Sequence, residues 1–121
     1  MNADDILQAI SDGLKQELST GYSTIKGFVE SQGKLLAGQA EMIARQRIAG
    51  SLSDDDDLYE FFLDGLKTNT ENMAKSVAML TALTIERAWN AIAKALWGGL
   101  RTILTAAGLP GPLVPETPPH V

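Results

Sequence analysis

Apolar residues recur along the first half of the chain at Leu7, Ile10, Leu14, Leu18, Gly21, Ile25, Val29, Gln32, Leu36, Ala40 and Ile43. The steps run three, four, four and repeat. An eleven-residue period corresponds to about 3.67 residues per turn, which predicts a long helix over about 3–49 with straight or slightly right-handed packing. Gln32 is the one strongly polar member of that stripe. At a tight interface it would set register or need a hydrogen-bonding partner.

A second stripe, Phe62, Leu66, Met73, Val77, Leu80, Thr84, Ala88, Ala91, Ala95, Gly99, Thr102 and Ala106, keeps similar spacing. It predicts a second helix over about 54–107. Between the two lies AGSLSDDDDLYEFF, residues 49–62. There Gly50 fits the position just past a helix end and Ser53 fits an N-cap. Asp54, Asp55, Asp56 and Asp57 would put negative charge in the first turn, where the helix dipole favours it. A calcium loop is the rival reading, but its sixth position wants glycine and Tyr59 stands there. The expectation is therefore an all-α protein, a long antiparallel helical hairpin whose arms are each roughly 70 Å long at 1.5 Å per residue. A break near KTNTEN (67–72) would turn it into a small bundle, and whether Gly98-Gly99 bends helix two stays open.

Five glycines in helix one, Gly13, Gly21, Gly27, Gly33 and Gly38, each cost roughly 0.5 to 1 kcal/mol against alanine, so something must offset them. Gly33, Ala37, Ala40 and Ala44 form a strip of small residues that admits another backbone closely. Ala88, Ala91, Ala95 and Gly99 do the same on helix two. Beside them Ile85, Trp89, Ile92, Leu96, Leu100 and Ile103 fall within a sector of about 80° on a helical wheel, with Trp97 at its polar boundary. The two apolar sectors together approach 200°, twice the stripe of an ordinary surface helix. One neighbouring helix cannot cover that. The bulky stripe is thus expected to pack inside a helical bundle or to serve as the contact surface for other copies of the chain, for a lipid or granule surface, or for other subunits of a particle.

Charge sharpens the picture. The net charge is −5, yet residues 86–107 hold Arg87, Lys94 and Arg101 against Glu86 alone. Those charges interrupt every window long enough to span a membrane, and fit an interfacial helix instead. An acidic chain with so small a basic cluster points away from nucleic acid. There is no cysteine, one histidine (His120), no glycine-rich phosphate loop and no Glu-x-x-His pair, so no catalytic residue, cofactor or metal is expected. The amino terminus MNADDILQAISDG has acids where a secretory signal carries positive charge. A cytoplasmic place at a membrane or granule surface, or alternatively in a virion, follows. All five prolines fall in GLPGPLVPETPPHV, read as an extended tail over 108–121 that acts as a tether or strap, with His120 as an end residue.

Trp97-Gly98-Gly99 matches the triplet of the small secreted W-x-G helical hairpins, but that family carries it in the turn between its helices. Over roughly residues 14–107 the chain resembles the phasins, small, cysteine-free, alanine-rich proteins with two amphipathic helices that coat polyhydroxyalkanoate granules. The likeness rests on pattern, not on a motif, and the glycine content and proline-rich tail depart from it. It implies a non-enzymatic, self-associating coat protein. A structural subunit of a bacteriophage virion (tail, portal or ejection component) or of a secretion apparatus fits the same stripes.

Overall fold

Each of the two long stripes is cut once, the first at residues 18–21 and the second at 81–84. The computed structural model, which describes residues 1–120, has four helices: α1 (Ala3–Glu17), α2 (Tyr22–Ala49), α3 (Asp56–Leu80) and α4 (Ile85–Ala106), followed by a 3-10 turn at Gly111–Leu113. The protein is all-α, its helices packed together, with no strand among the described residues. Neither helix one nor helix two of the expected hairpin is continuous.

Local chemistry accounts for the cuts. Helix α1 opens with a reciprocal box in which Asn2 Oδ1 accepts from the Asp5 amide and Asp5 Oδ2 accepts from the Asn2 amide, both at 3.0 Å. It ends at Leu18, whose backbone is extended, and Gly21 then takes a left-handed φ of 87° that side-chain-bearing residues rarely adopt. Helix α3 ends at Thr81, whose hydroxyl donates back to the Val77 carbonyl at 2.8 Å and accepts from the Leu83 amide. Three residues later Thr84 caps α4 by accepting from the Arg87 amide. Helix two is continuous at KTNTEN and through Gly98-Gly99, which lie inside α3 and α4.

The turn between α2 and α3 also differs from expectation. The N-cap is Asp55, which accepts from the Leu58 amide at 2.9 Å, with Asp56 and Asp57 in the first turn. Ser53 instead donates to the Gly50 carbonyl at 2.7 Å, and Asp54 precedes the cap. Arg47 holds this turn: it donates to the Leu52 carbonyl at 2.8 Å, pairs with Asp56 at 2.7 Å and lies 4.3 Å from the centroid of the Tyr59 ring.

Successive helices run antiparallel, giving an up-down-up-down bundle in which α2 and α4 make the most extensive contacts. That arrangement answers the 200° problem within one chain: α4 is surrounded by α1, α2 and α3. Its residues Trp89, Ile92, Leu96, Trp97, Leu100, Ile103 and Leu104 are buried, as are Ile6, Ile10 and Leu14 of α1. Gly33 lies under Leu7 and Ile10, Gly99 lies under Ile6, and Gly13 faces Ala91. The small faces of α2 and α4 therefore both receive α1, a segment that a continuous hairpin would have fused to α2. Arg87 of α4 closes the far end of this layer by pairing with Glu17 of α1 at 2.7 Å.

Candidate interaction surface

The bulky stripe is inside. Trp89 is 1 % exposed, Leu96 and Leu100 are fully buried, Ile92, Trp97 and Ile103 are buried, and only Ile85 is partly exposed. The residues expected to contact a partner are thus covered by the chain's own helices, because two chain reversals bring three of them around α4. Among the small-residue positions Gly33, Ala37, Ala40, Ala44, Ala88, Ala95 and Gly99 are buried and Ala91 is half-buried. The buried side chains are not available to an outside surface without unfolding the bundle.

The tail adds to the enclosure. Gly108 adopts a φ of 88°, and the Leu109 and Gly108 amides bond back to the Leu104 and Thr105 carbonyls at 3.2 and 3.0 Å, a Schellman closure of α4. From there the chain runs back along the bundle, with Leu109 and Val114 packed against the core. Trp89 Nε1 donates to the Pro118 carbonyl at 3.1 Å, and the His120 ring lies 5.4 Å from the Trp89 ring. His120 Nε2 is 3.7 Å from a Glu71 carboxylate oxygen and Nδ1 is 3.8 Å from one of Glu86. Pro112 to Pro115 line a cavity of about 270 Å³ with Arg47, Asp56 and Tyr59. The Tyr59 hydroxyl is buried without a hydrogen-bonding partner. Burial pushes its pKa up from 10.0 to about 12, against the lowering effect of the Arg47 charge.

What remains outside is a face that the two stripes do not reveal. On a 100° wheel, Thr24, Phe28, Ser31, Gln32, Leu35, Gly38, Gln39, Met42 and Gln46 occupy about 120° of α2. On α3, Leu58, Phe61, Phe62, Gly65, Asn69, Asn72, Ser76 and Met79 occupy about 100°. Every charged residue of the two helices falls outside these sectors. The sectors flank one groove of about 430 Å³, lined by Phe28, Gln32 and Leu35 on one wall and Asn69, Asn72 and Ser76 on the other. Across it Asn69 Nδ2 donates to Gln39 Oε1 at 3.0 Å.

This face gathers the exposed apolar side chains. Leu35 is 67 % exposed, Phe61 69 % and Met79 86 %, with Met42, Leu58 and Leu80 also exposed. Scattered apolar residues on a surface need no explanation; here they share the two charge-free sectors. Gln32, the expected polar member of a buried stripe, is exposed at this groove. The signal that would have found the face is the exclusion of charge from one side of two successive helices.

A second groove, of about 650 Å³, lies between α1 and α4 and is lined by Ala9, Gly13, Ala95 and Gly98 together with Asp12 and Lys94. Gln16, Glu17, Asn90 and Thr102 add polar side chains to its rim. Among the described residues no set of three His, Asp or Glu side chains lies close enough to hold a metal ion. No helix there is long and apolar enough to cross a membrane. No family model, curated protein or solved structure matches the chain.

Proposed function

We propose that the protein is a non-enzymatic helical interaction protein that joins a larger assembly through the α2–α3 face, in the manner of a structural subunit of a virion or a secretion apparatus. One observation carries this reading: a charge-free surface along two adjoining helices, with Leu35, Phe61 and Met79 more than half exposed, in a chain that carries 25 charged side chains elsewhere and at its edges (10 basic, 15 acidic).

A coat on lipid or on a storage granule is the other form such a protein could take, and the geometry favours it less. The tryptophans and the bulky stripe that would enter an apolar phase are occupied in the core. The exposed face has amides at its centre, Gln32, Gln39, Asn69 and Asn72, and each amide buried against hydrocarbon without a partner costs on the order of several kcal/mol. A protein partner can satisfy them.

The test is fractionation of the protein from cells that make it, comparing the parent with the double variant Leu35→Glu, Phe61→Glu. The parent should travel in a fraction of high mass without lipid, and the variant should leave it while keeping its helical circular dichroism. Co-fractionation of both chains, or flotation of the parent with vesicles or granules, would overturn the reading.

A further inference from the structure

Resting on the reading of the α2–α3 face as an interaction surface, we propose that its occupant is a second copy of the same chain, docked about a two-fold axis that runs along the helices between Gln39 and Asn69, and that this closed dimer is the unit from which the larger assembly is built. The hydrogen-bonding arithmetic at the centre of the face is self-complementary. A glutamine and an asparagine side chain each carry one acceptor oxygen and one NH₂ donor. The Asn69-to-Gln39 bond uses the asparagine's donor and the glutamine's acceptor. It leaves Gln39 Nε2 as a donor and Asn69 Oδ1 as an acceptor. A two-fold axis along the helices sets each copy's α2 over its partner's α3, so the free Gln39 amide of one copy meets the free Asn69 oxygen of the other, twice.

Shape follows the same axis. Helices α2 and α3 are antiparallel, and the Gln39–Asn69 bond puts positions whose numbers sum to about 108 at the same height. Met42 is then level with Gly65 of the facing helix, where the missing side chain leaves a hole. Leu35 is level with the gap between Asn72 and Ser76, and Phe28 meets Met79. Protruding apolar residues of α2 meet small residues of α3 at two levels, as interlocking helices require.

Charge and area agree. A chain with a net charge of −5 repels its copies, and a patch without charge is where two copies approach at least electrostatic cost. Two helices of 25 and 28 residues at 1.5 Å rise and about 9 Å separation offer a face of roughly 700 Å², close to the roughly 800 Å² per partner of a stable interface.

Purified away from the other components of its cells, the full-length protein should sediment as a dimer, at twice 12.9 kDa. Met42→Glu and Gly65→Lys alone should each raise the dimer Kd by on the order of a hundredfold, the loss expected when an anchor is spoiled. An equimolar mixture of the two should form heterodimers, because each places its new charge opposite the other's while the second Met42–Gly65 contact stays native. Folding of the variants is checked by that rescue. A parent that stays monomeric, single variants that dimerise normally, or a mixture that stays monomeric would each overturn the proposal. If the parent is monomeric while the Leu35→Glu, Phe61→Glu chain still leaves the high-mass fraction, the second copy falls and the interaction reading stands.

Discussion

The indole nitrogen of Trp89 donates across 29 positions of sequence to the carbonyl oxygen of Pro118, 3.1 Å away. The rest of the indole is sunk in the core, so one side chain belongs to both the bundle and the strap. A single hydrogen bond of this kind contributes about 1 kcal/mol. Trp89→Phe keeps most of the buried ring and removes the donor. The local opening of residues 109–120 should then become about fivefold more frequent, and the cavity left by the smaller ring also lowers the melting temperature of the bundle. Limited proteolysis at the exposed Glu116 reads this directly, and an unchanged cleavage rate would show that the strap is held by packing alone.

Helix identity and much of the core are legible from the sequence because burial follows the helical repeat. Ile10, Leu14, Ile25, Val29, Leu36 and Ile43 all sit where the eleven-residue spacing puts them. The chain reversals are not legible from that spacing, because Leu18, Gly21 and Ile25 keep the beat across one break and Leu80, Thr84 and Ala88 keep it across the other. Periodicity records which side of a helix is buried and says nothing about where the chain turns. The turn at Ser19-Thr20-Gly21 has a local signal in its glycine; the turn at Thr81 to Thr84 depends on two threonine hydroxyls whose choice of backbone partner only the fold reveals. Without those reversals, the 200° apolar surface of α4 looks like a demand for an outside partner. Leu96→Glu shows the difference: with the site fully buried, an unpaired carboxylate there should unfold the monomer instead of merely dissociating an oligomer. Loss of helical circular dichroism at room temperature is the expected result.

Adjacent glycines should respond in opposite directions. A Cβ built on Gly98 meets nothing within 4 Å, whereas one on Gly99 runs into the middle of the buried Ile6 side chain. Gly98→Ala gains the helix propensity of alanine, about 0.5 to 1 kcal/mol. Gly99→Ala gains the same and loses more, because overpacking a tight contact costs about 1 to 3 kcal/mol and α1 must move away. Chemical denaturation of the two variants should place them on opposite sides of the parent. Stabilisation by both would mean that α1 does not lie on Gly99.

The start of α3 separates two neighbouring carboxyl side chains. Asp55 accepts from the Leu58 amide beside the positive helix end, so Asp55→Ala should cost about 1 kcal/mol. Asp54 lies outside the helix with its side chain exposed, and Asp54→Ala should fall within about 0.5 kcal/mol of the parent. Urea titrations of the two variants decide it. Equal losses would show that Asp55 is not the cap of α3.

Tyr59 makes stability depend on pH in alkali. Folding buries its phenol, and burial raises its pKa from 10.0 to about 12. Between those values the unfolded chain has released a proton that the folded chain still holds, so rising pH favours unfolding. The contribution is fully present below about pH 10 and is lost as pH climbs through 12, a fall of at most about 3 kcal/mol, since each tenfold change in proton affinity is worth about 1.4 kcal/mol. Tyr59→Phe removes both the titration and a buried hydroxyl that has no hydrogen-bonding partner. It should therefore be more stable than the parent by about 1 kcal/mol at neutral pH, and the gap should widen above pH 10. Denaturation curves at pH 8 and pH 11 give that difference, and a gap that stays constant between the two would show that the phenol reaches water in the folded protein.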